Sequence, residues 1–216
     1  SSTLNNHTAK YYYQDEDGRG GVTATSPNYP ITGYVIKKYN NPMDAWTGTG
    51  ARHIQKAYPI IRYAEILLSY AEALNNLTGP HTVELDGQPY TMSRDKEEIK
   101  KAFNQVRYRA GLPGLTANQL NSTPEVQKQI ERERMVEFLW ENRRFYDVRR
   151  WGIYEETEQE PIRGMNPDGA TKETYYQRVI PSSSSFLTRV VDKRSVWVPI
   201  PRNEMRLPSL DQNPGY

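Results

Sequence analysis

Residues 130–151 read IERERMVEFLWENRRFYDVRRW, and the architecture of the whole chain hangs on how they fold. Stepped at about 100° per residue, Met135, Val136, Leu139 and Trp140 fall on one side of a helix. Glu133, Glu137 and Glu141 recur every fourth residue as a stripe on another side. Like charges at that spacing repel by about 0.2–0.5 kcal/mol per pair, so the stripe calls for cations supplied from elsewhere. Arg143, Arg144, Arg149 and Arg150 are close at hand, interleaved with Phe145, Tyr146, Val148 and Trp151. The stretch reads as a helix end wedged among other elements by aromatics and tied by ion pairs.

Three chemistries compete for it. One is a structural ion-pair network at a helix junction. A second is a nucleic-acid patch, because arginine interleaved with aromatics grips phosphates and stacks bases; Asp147 and the glutamates nearly cancel the local charge and weigh against it. The third is a carboxylate pair for glycoside hydrolysis, such as Glu137 with Glu141, since one helical turn gives a suitable separation. Arginines this close hold carboxylates ionised, which is wrong for a general acid. The structural network is the favoured reading.

Composition narrows the rest. A chain of 216 residues buries one good core or two small ones. A net charge of +2 does not call for nucleic acid or anionic lipid as a partner. No apolar run approaches the roughly 20 residues of a membrane-spanning helix. Cysteine is absent, and His7, His53 and His81 are scattered without ligand spacing, so neither a metal site nor a cysteine nucleophile is expected. No Gly-rich phosphate loop is present and no cofactor is expected. Sixteen tyrosines stand against four phenylalanines. A flat apolar face with a polar tip suits solvated ligands and protein interfaces.

Residues 1–32 lack a helical period and carry turn signals, among them Ser26-Pro27-Asn28-Tyr29-Pro30. Tyr34-Val35-Ile36 reads as a short strand, and residues 40–53 as a loop bearing Trp46. A helix is expected over 59–77, apolar around most of its circumference and so packed on more than one side. Residues 80–92 read as a loop with an Asp86-Gly87 turn. Ser93 is expected to cap a second helix reaching Ala110, with Ile99, Ala102, Phe103 and Val106 as its apolar stripe. Ser122-Thr123-Pro124-Glu125 opens a third. Beyond Gly152 the periodicity fades into loops, with a short strand expected over 174–179 and an extended segment at 196–201. The fold expected is mostly α, with tetratricopeptide-like helical repeats, long irregular loops and a few short β-strands. The spacing match to such repeats is loose, because the loop between the first two helices breaks their period of about 34 residues.

Several segments together resemble the SusD/RagB family of outer-membrane nutrient-binding lipoproteins of Bacteroidetes. They are Lys37-Lys38-Tyr39; PIIRYAEILLSYAEA over 59–73; FNQVRYRAGLP over 103–113; IERER over 130–134; residues 137–151; Val198-Pro199-Ile200-Pro201; and Gln212-Asn213-Pro214-Gly215-Tyr216. The resemblance covers 33–216. Family members are much longer, so it implies that this chain is a C-terminal portion, with residues 1–58 a loop and short-strand segment, 59–152 a helical repeat core and 153–216 a loop-rich end. It also implies a protein that captures an oligosaccharide, or in some members a peptide, and delivers it to a SusC-like TonB-dependent transporter without chemistry of its own. Membrane attachment would run through a lipid anchor outside this chain. Glu137, Glu141, Arg144, Asp147 and Arg150 then serve as the ion-pair network of the helical layer. A protein-interaction scaffold remains the alternative.

Sugar recognition needs an aromatic face flanked by hydrogen-bonding groups. Trp46 is the leading expectation, with Asn41, Asp44 and Arg52 in its loop. Tyr90 in the loop between the first two helices and Tyr29 in the opening segment follow. Trp140, Trp151 and Trp197 sit in periodic or apolar contexts and are expected in the core.

Overall fold

The first long helix starts later than its periodicity implies. In the computed structural model, which describes residues 13, 30–41, 43–44, 50–181, 189–206 and 209–216, α1 spans Tyr63–Asn75. Arg62 precedes it in extended conformation and makes no side-chain cap, because a guanidinium carries only donors and cannot accept from the N–H groups of a first turn. Ile60 and Ile61 are left outside the helix, 81% and 67% exposed. One side of α1 buries Ala64, Leu68, Ala71 and Leu74, while Tyr63, Ile66 and Tyr70 stay exposed on the other.

Residues 80–92 are not the plain loop expected. His81–Leu85 (β1) and Gln88–Met92 (β2) pair as an antiparallel hairpin with Val83 opposite Tyr90. Asp86 and Gly87 both take left-handed backbone, at φ 51° and 72°. That is the turn geometry whose twist matches the flanking strands. The hairpin follows from this turn rather than from an apolar face, since nearly all its residues are exposed.

Helix α2 (Lys96–Arg109) is capped by Asp95 and not by Ser93. The Asp95 carboxylate accepts from the backbone N–H groups of Glu97 (2.9 Å) and Glu98 (3.0 Å), satisfying two donors that the helix cannot pair internally. A short helix, α3 (Ala117–Leu120), is set by a reciprocal capping box between Thr116 and Gln119. Ser122 then caps α4 (Thr123–Glu137), with proline in its first turn, as the sequence indicates. α1 packs on α2 and α4, and α3 on α4. The core so formed holds Leu68, Ile99, Phe103, Val106, Val126, Ile130 and Phe138.

The 130–151 stretch is not one helix. α4 stops at Glu137 and α5 spans Arg143–Arg150. Trp140 and Asn142 between them adopt φ 65° and 59°, a conformation uncommon for residues other than glycine. The break turns Phe138 and Glu141 inward, both buried, and leaves Met135, Val136, Leu139 and Trp140 outside. Trp140 (60% exposed) and Trp197 (56%) are therefore not core residues. Their apolar sequence neighbours placed them inside, but neighbours along the chain do not report what packs across it.

The chain divides into two units. The helical one is Ala57–Asp147; the other combines Ser1–Lys56 with Val148–Tyr216. In the second, α6 (Tyr154–Glu158) and α7 (Lys172–Tyr175) are short helices. Where a strand was expected over 174–179, α7 is followed by a single antiparallel bridge between Gly164 and Val179. No strand forms at Tyr34–Ile36. Lys193–Val196 and Glu204–Arg206 are single 3-10 turns.

Candidate binding site

Of the residues proposed from the sequence for ligand contact, Asn41, Asp44 and Arg52 lie together, and each also holds its own loop. The Asn41 Oδ1 accepts from the Met43 N–H at 2.9 Å. The Asp44 N–H in turn reaches the Asn41 carbonyl at 2.9 Å. Asp44 accepts from the Ile54 N–H through Oδ1 at 2.8 Å and from the Lys56 ammonium through Oδ2. The Arg52 Nε donates to the Met43 carbonyl at 2.8 Å. Residues 43–44 are thus tied to 52–56, with Asp44 as the hub. Trp46 and Tyr29 lie outside the described residues. Tyr90 belongs to β2 in the helical unit and is exposed.

The Asp44 carboxyl is held below its usual value of 3.8, first by the hydrogen bond from Lys56 and then by the Ile54 N–H. A carboxylate with a lowered folded-state pKa favours these contacts above its unfolded pKa, and that contribution is lost as pH falls through the folded value. The Ile54 amide resonance is therefore expected to titrate in two-dimensional NMR with a midpoint below 3.8, and Asp44→Asn to abolish that titration. A midpoint at or above 3.8 would contradict the Lys56 and Ile54 contacts.

The glutamate stripe is met by two arginines of α2 and by Arg62, just ahead of α1. The Glu133 carboxylate pairs with Arg107 at 2.9 Å. Glu137 pairs with Arg62 at 2.7 Å and Arg109 at 2.5 Å. Glu141 pairs with Arg62 at 2.9 Å. Burial works against the Arg62 charge, but the hydrogen bonds it donates to Glu141 and Glu137 outweigh that and raise its pKa. Arg62 and Arg134 also lie over the Phe138 ring, 5.1 and 5.2 Å from its centroid. Buried Asp147 receives two hydrogen bonds from Arg134, at 2.8 and 3.1 Å.

The arginines that the sequence placed beside the stripe have further duties. Arg143 pairs with Glu65 at 2.8 Å and donates to the Ile60 carbonyl. Arg149 bonds the carbonyls of Ser195 (2.8 Å) and Val196 (3.1 Å). Arg150 stacks on Trp151 at 4.6 Å. Arg144 is half-buried on α5. Sequence reasoning did not single out Arg62, Arg107 or Arg109. The signal available was the unpaired glutamate stripe itself, which demands cations without saying which. Among the described residues no cluster of His, Asp and Glu could hold a metal ion, and no helix is long and apolar enough to cross a membrane.

No curated protein matches the chain. A SusD-like protein from Bacteroides fragilis NCTC 9343, known from its crystal structure, is 34% identical, with a TM-score of 0.52. The match covers 73% of this chain and 25% of that one. The model of the SusD family matches residues 2–216. With a mostly helical fold, a glutamate-bearing α4 tied to its neighbours by arginine, and a family match running almost from end to end, the chain belongs to the SusD family.

Proposed function

We propose that this chain is part of a surface protein that captures an oligosaccharide and hands it to a SusC-like TonB-dependent transporter of the outer membrane, without catalysis. The observation that carries the proposal is membership of the SusD family over residues 2–216. In this reading the protein sits at the outer face of the outer membrane, held there by a lipid anchor. Trp46 is the residue proposed to stack on a sugar ring, with Asn41, Asp44 and Arg52 as polar contacts, and Tyr29 and Tyr90 are separate candidates for aromatic contact. The local physics supports this assignment. Asn41, Asp44 and Arg52 are held by hydrogen bonds between 41–44 and 52–56, so these polar groups lose little freedom on binding, and such preorganisation favours affinity.

A protein-interaction scaffold is the second reading, favoured by the exposed Tyr63, Ile66 and Tyr70 along α1. Calorimetric titration of the intact protein with oligosaccharides and with peptides separates the two. The expected result is binding to an oligosaccharide that is recovered unhydrolysed, weakened about tenfold, or by about 1.4 kcal/mol, in Trp46→Ala. A response to peptides alone would transfer the reading to a peptide-binding member. Silence toward both would leave the scaffold. Hydrolysis of the sugar would make the protein an enzyme.

A further inference from the structure

An aromatic cleft lies far along the chain from Trp46. Arg149, Gly152, Tyr154, Glu156, Lys193 and Trp197 are among the residues lining a space of about 480 Å³. That is within the range of small-molecule sites, about 300–1,000 Å³. All of it belongs to the unit that contains Val148–Tyr216.

The backbone around Trp197 is secured from three directions while its indole stays more than half exposed. On one side Arg149 bonds the carbonyls of Ser195 and Val196 and lays its guanidinium over the Tyr154 ring, 4.3 Å from the centroid. From within the segment, the Trp197 N–H closes a turn onto the Arg194 carbonyl at 3.0 Å. On the other side the C-terminal residues act as a strap. The Gln212 amide pairs with both backbone groups of Ile200, at 2.8 and 3.0 Å. The Asn213 amide donates to the Val198 carbonyl at 2.7 Å, and the Tyr216 hydroxyl to the Trp197 carbonyl at 3.3 Å. A large apolar side chain left in water on a fixed backbone offers binding area with little ordering cost.

The charges on the wall select the ligand. Arg149 and Lys193 oppose Glu155 and Glu156, so the lining is close to neutral and disfavours a strongly charged guest. Glu155, Glu156 and Lys193 are exposed. Among the described residues no ion pair or side-chain hydrogen bond engages those three groups, which leaves acceptors and a donor for hydroxyls around the indole.

We infer that the Trp197 cleft is an additional subsite for a neutral oligosaccharide, with the indole as the stacking platform and Glu155, Glu156 and Lys193 as hydroxyl partners. This inference rests on the oligosaccharide-binding reading above. It is tested on the intact protein labelled with 5-fluorotryptophan, its fluorine resonances assigned by single Trp→Phe variants and titrated with a panel of neutral oligosaccharides. The Trp197 resonance is expected to shift saturably with the sugar that calorimetry shows to bind. Trp197→Ala is expected to weaken that binding about tenfold, the change equivalent to about 1.4 kcal/mol. If a sugar binds and shifts other tryptophans while the Trp197 resonance stays fixed, the subsite is overturned and the broader reading survives. If no sugar binds the unaltered protein at all, the broader reading falls and takes the subsite with it. The resonance in the unaltered protein decides the matter even if Trp197→Ala fails to fold.

Discussion

Replacing Arg134 by methionine is expected to lower the unfolding free energy by about 3–5 kcal/mol. Arg134 and Asp147 are each only 5% exposed at the side chain, and the guanidinium meets the carboxylate with two hydrogen bonds, from Nε at 2.8 Å and Nη2 at 3.1 Å. Its remaining nitrogen donates to the Ser69 hydroxyl at 3.1 Å. Methionine keeps much of the volume but removes both hydrogen bonds that Arg134 donates to the buried Asp147 carboxylate. The cost arises from a buried charge that has lost these donors more than from the loss of an attraction. Arg134→Met/Asp147→Leu, which removes both charges, is therefore expected to recover most of the loss. Urea unfolding of the single and double variants measures both quantities. A single-variant loss below about 1 kcal/mol, the scale of an exposed pair, would show that water reaches this site.

Phe103→Ala is expected to cost about 3–5 kcal/mol by the same measurement. Phe103 sits on the buried stripe of α2 with Ile99, Ala102 and Val106, in the cluster that also takes Leu68 of α1 and Ile130 of α4. Truncation loses the burial of the ring and leaves a cavity that three packed helices cannot close. Lys101→Ala, on the exposed side of the same helix, is expected to stay within about 0.5 kcal/mol. Equal losses in the two variants would place Phe103 outside the core.

The family could be identified from the 33–216 segments, and the match over 2–216 agrees with that identification. Ser122 with Pro124, and the stripe from Ile99 to Val106, were equally legible. Each is a local signal: a cap acts within one turn, and a 3.6-residue period marks the buried face whatever lies against it. The Asp86-Gly87 turn was visible; the alternation flanking it, Val83 and Leu85 before and Tyr90 and Met92 after, is short and largely exposed, and so a weak strand signal. Asp95 displaced Ser93 as a cap because its carboxylate could reach two free N–H groups of the first turn.

Placement across the chain was another matter. The Glu133, Glu137 and Glu141 stripe announced a need for cations, and nothing in 130–151 could reveal that Arg62, Arg107 and Arg109 would meet it. Nor could that stretch reveal its own break at Trp140 and Asn142. Trp197 shows the same boundary from the other side. Its apolar neighbours Val196 and Val198 implied burial, yet Arg149 and the Gln212–Tyr216 strap hold its backbone and leave the indole in water. Helix identity, caps and family membership are encoded in residues close together in sequence, so the chain alone determined them. Ion-pair partners and the exposure of each tryptophan depend on segments many residues apart meeting in space, and only the tertiary structure could decide those.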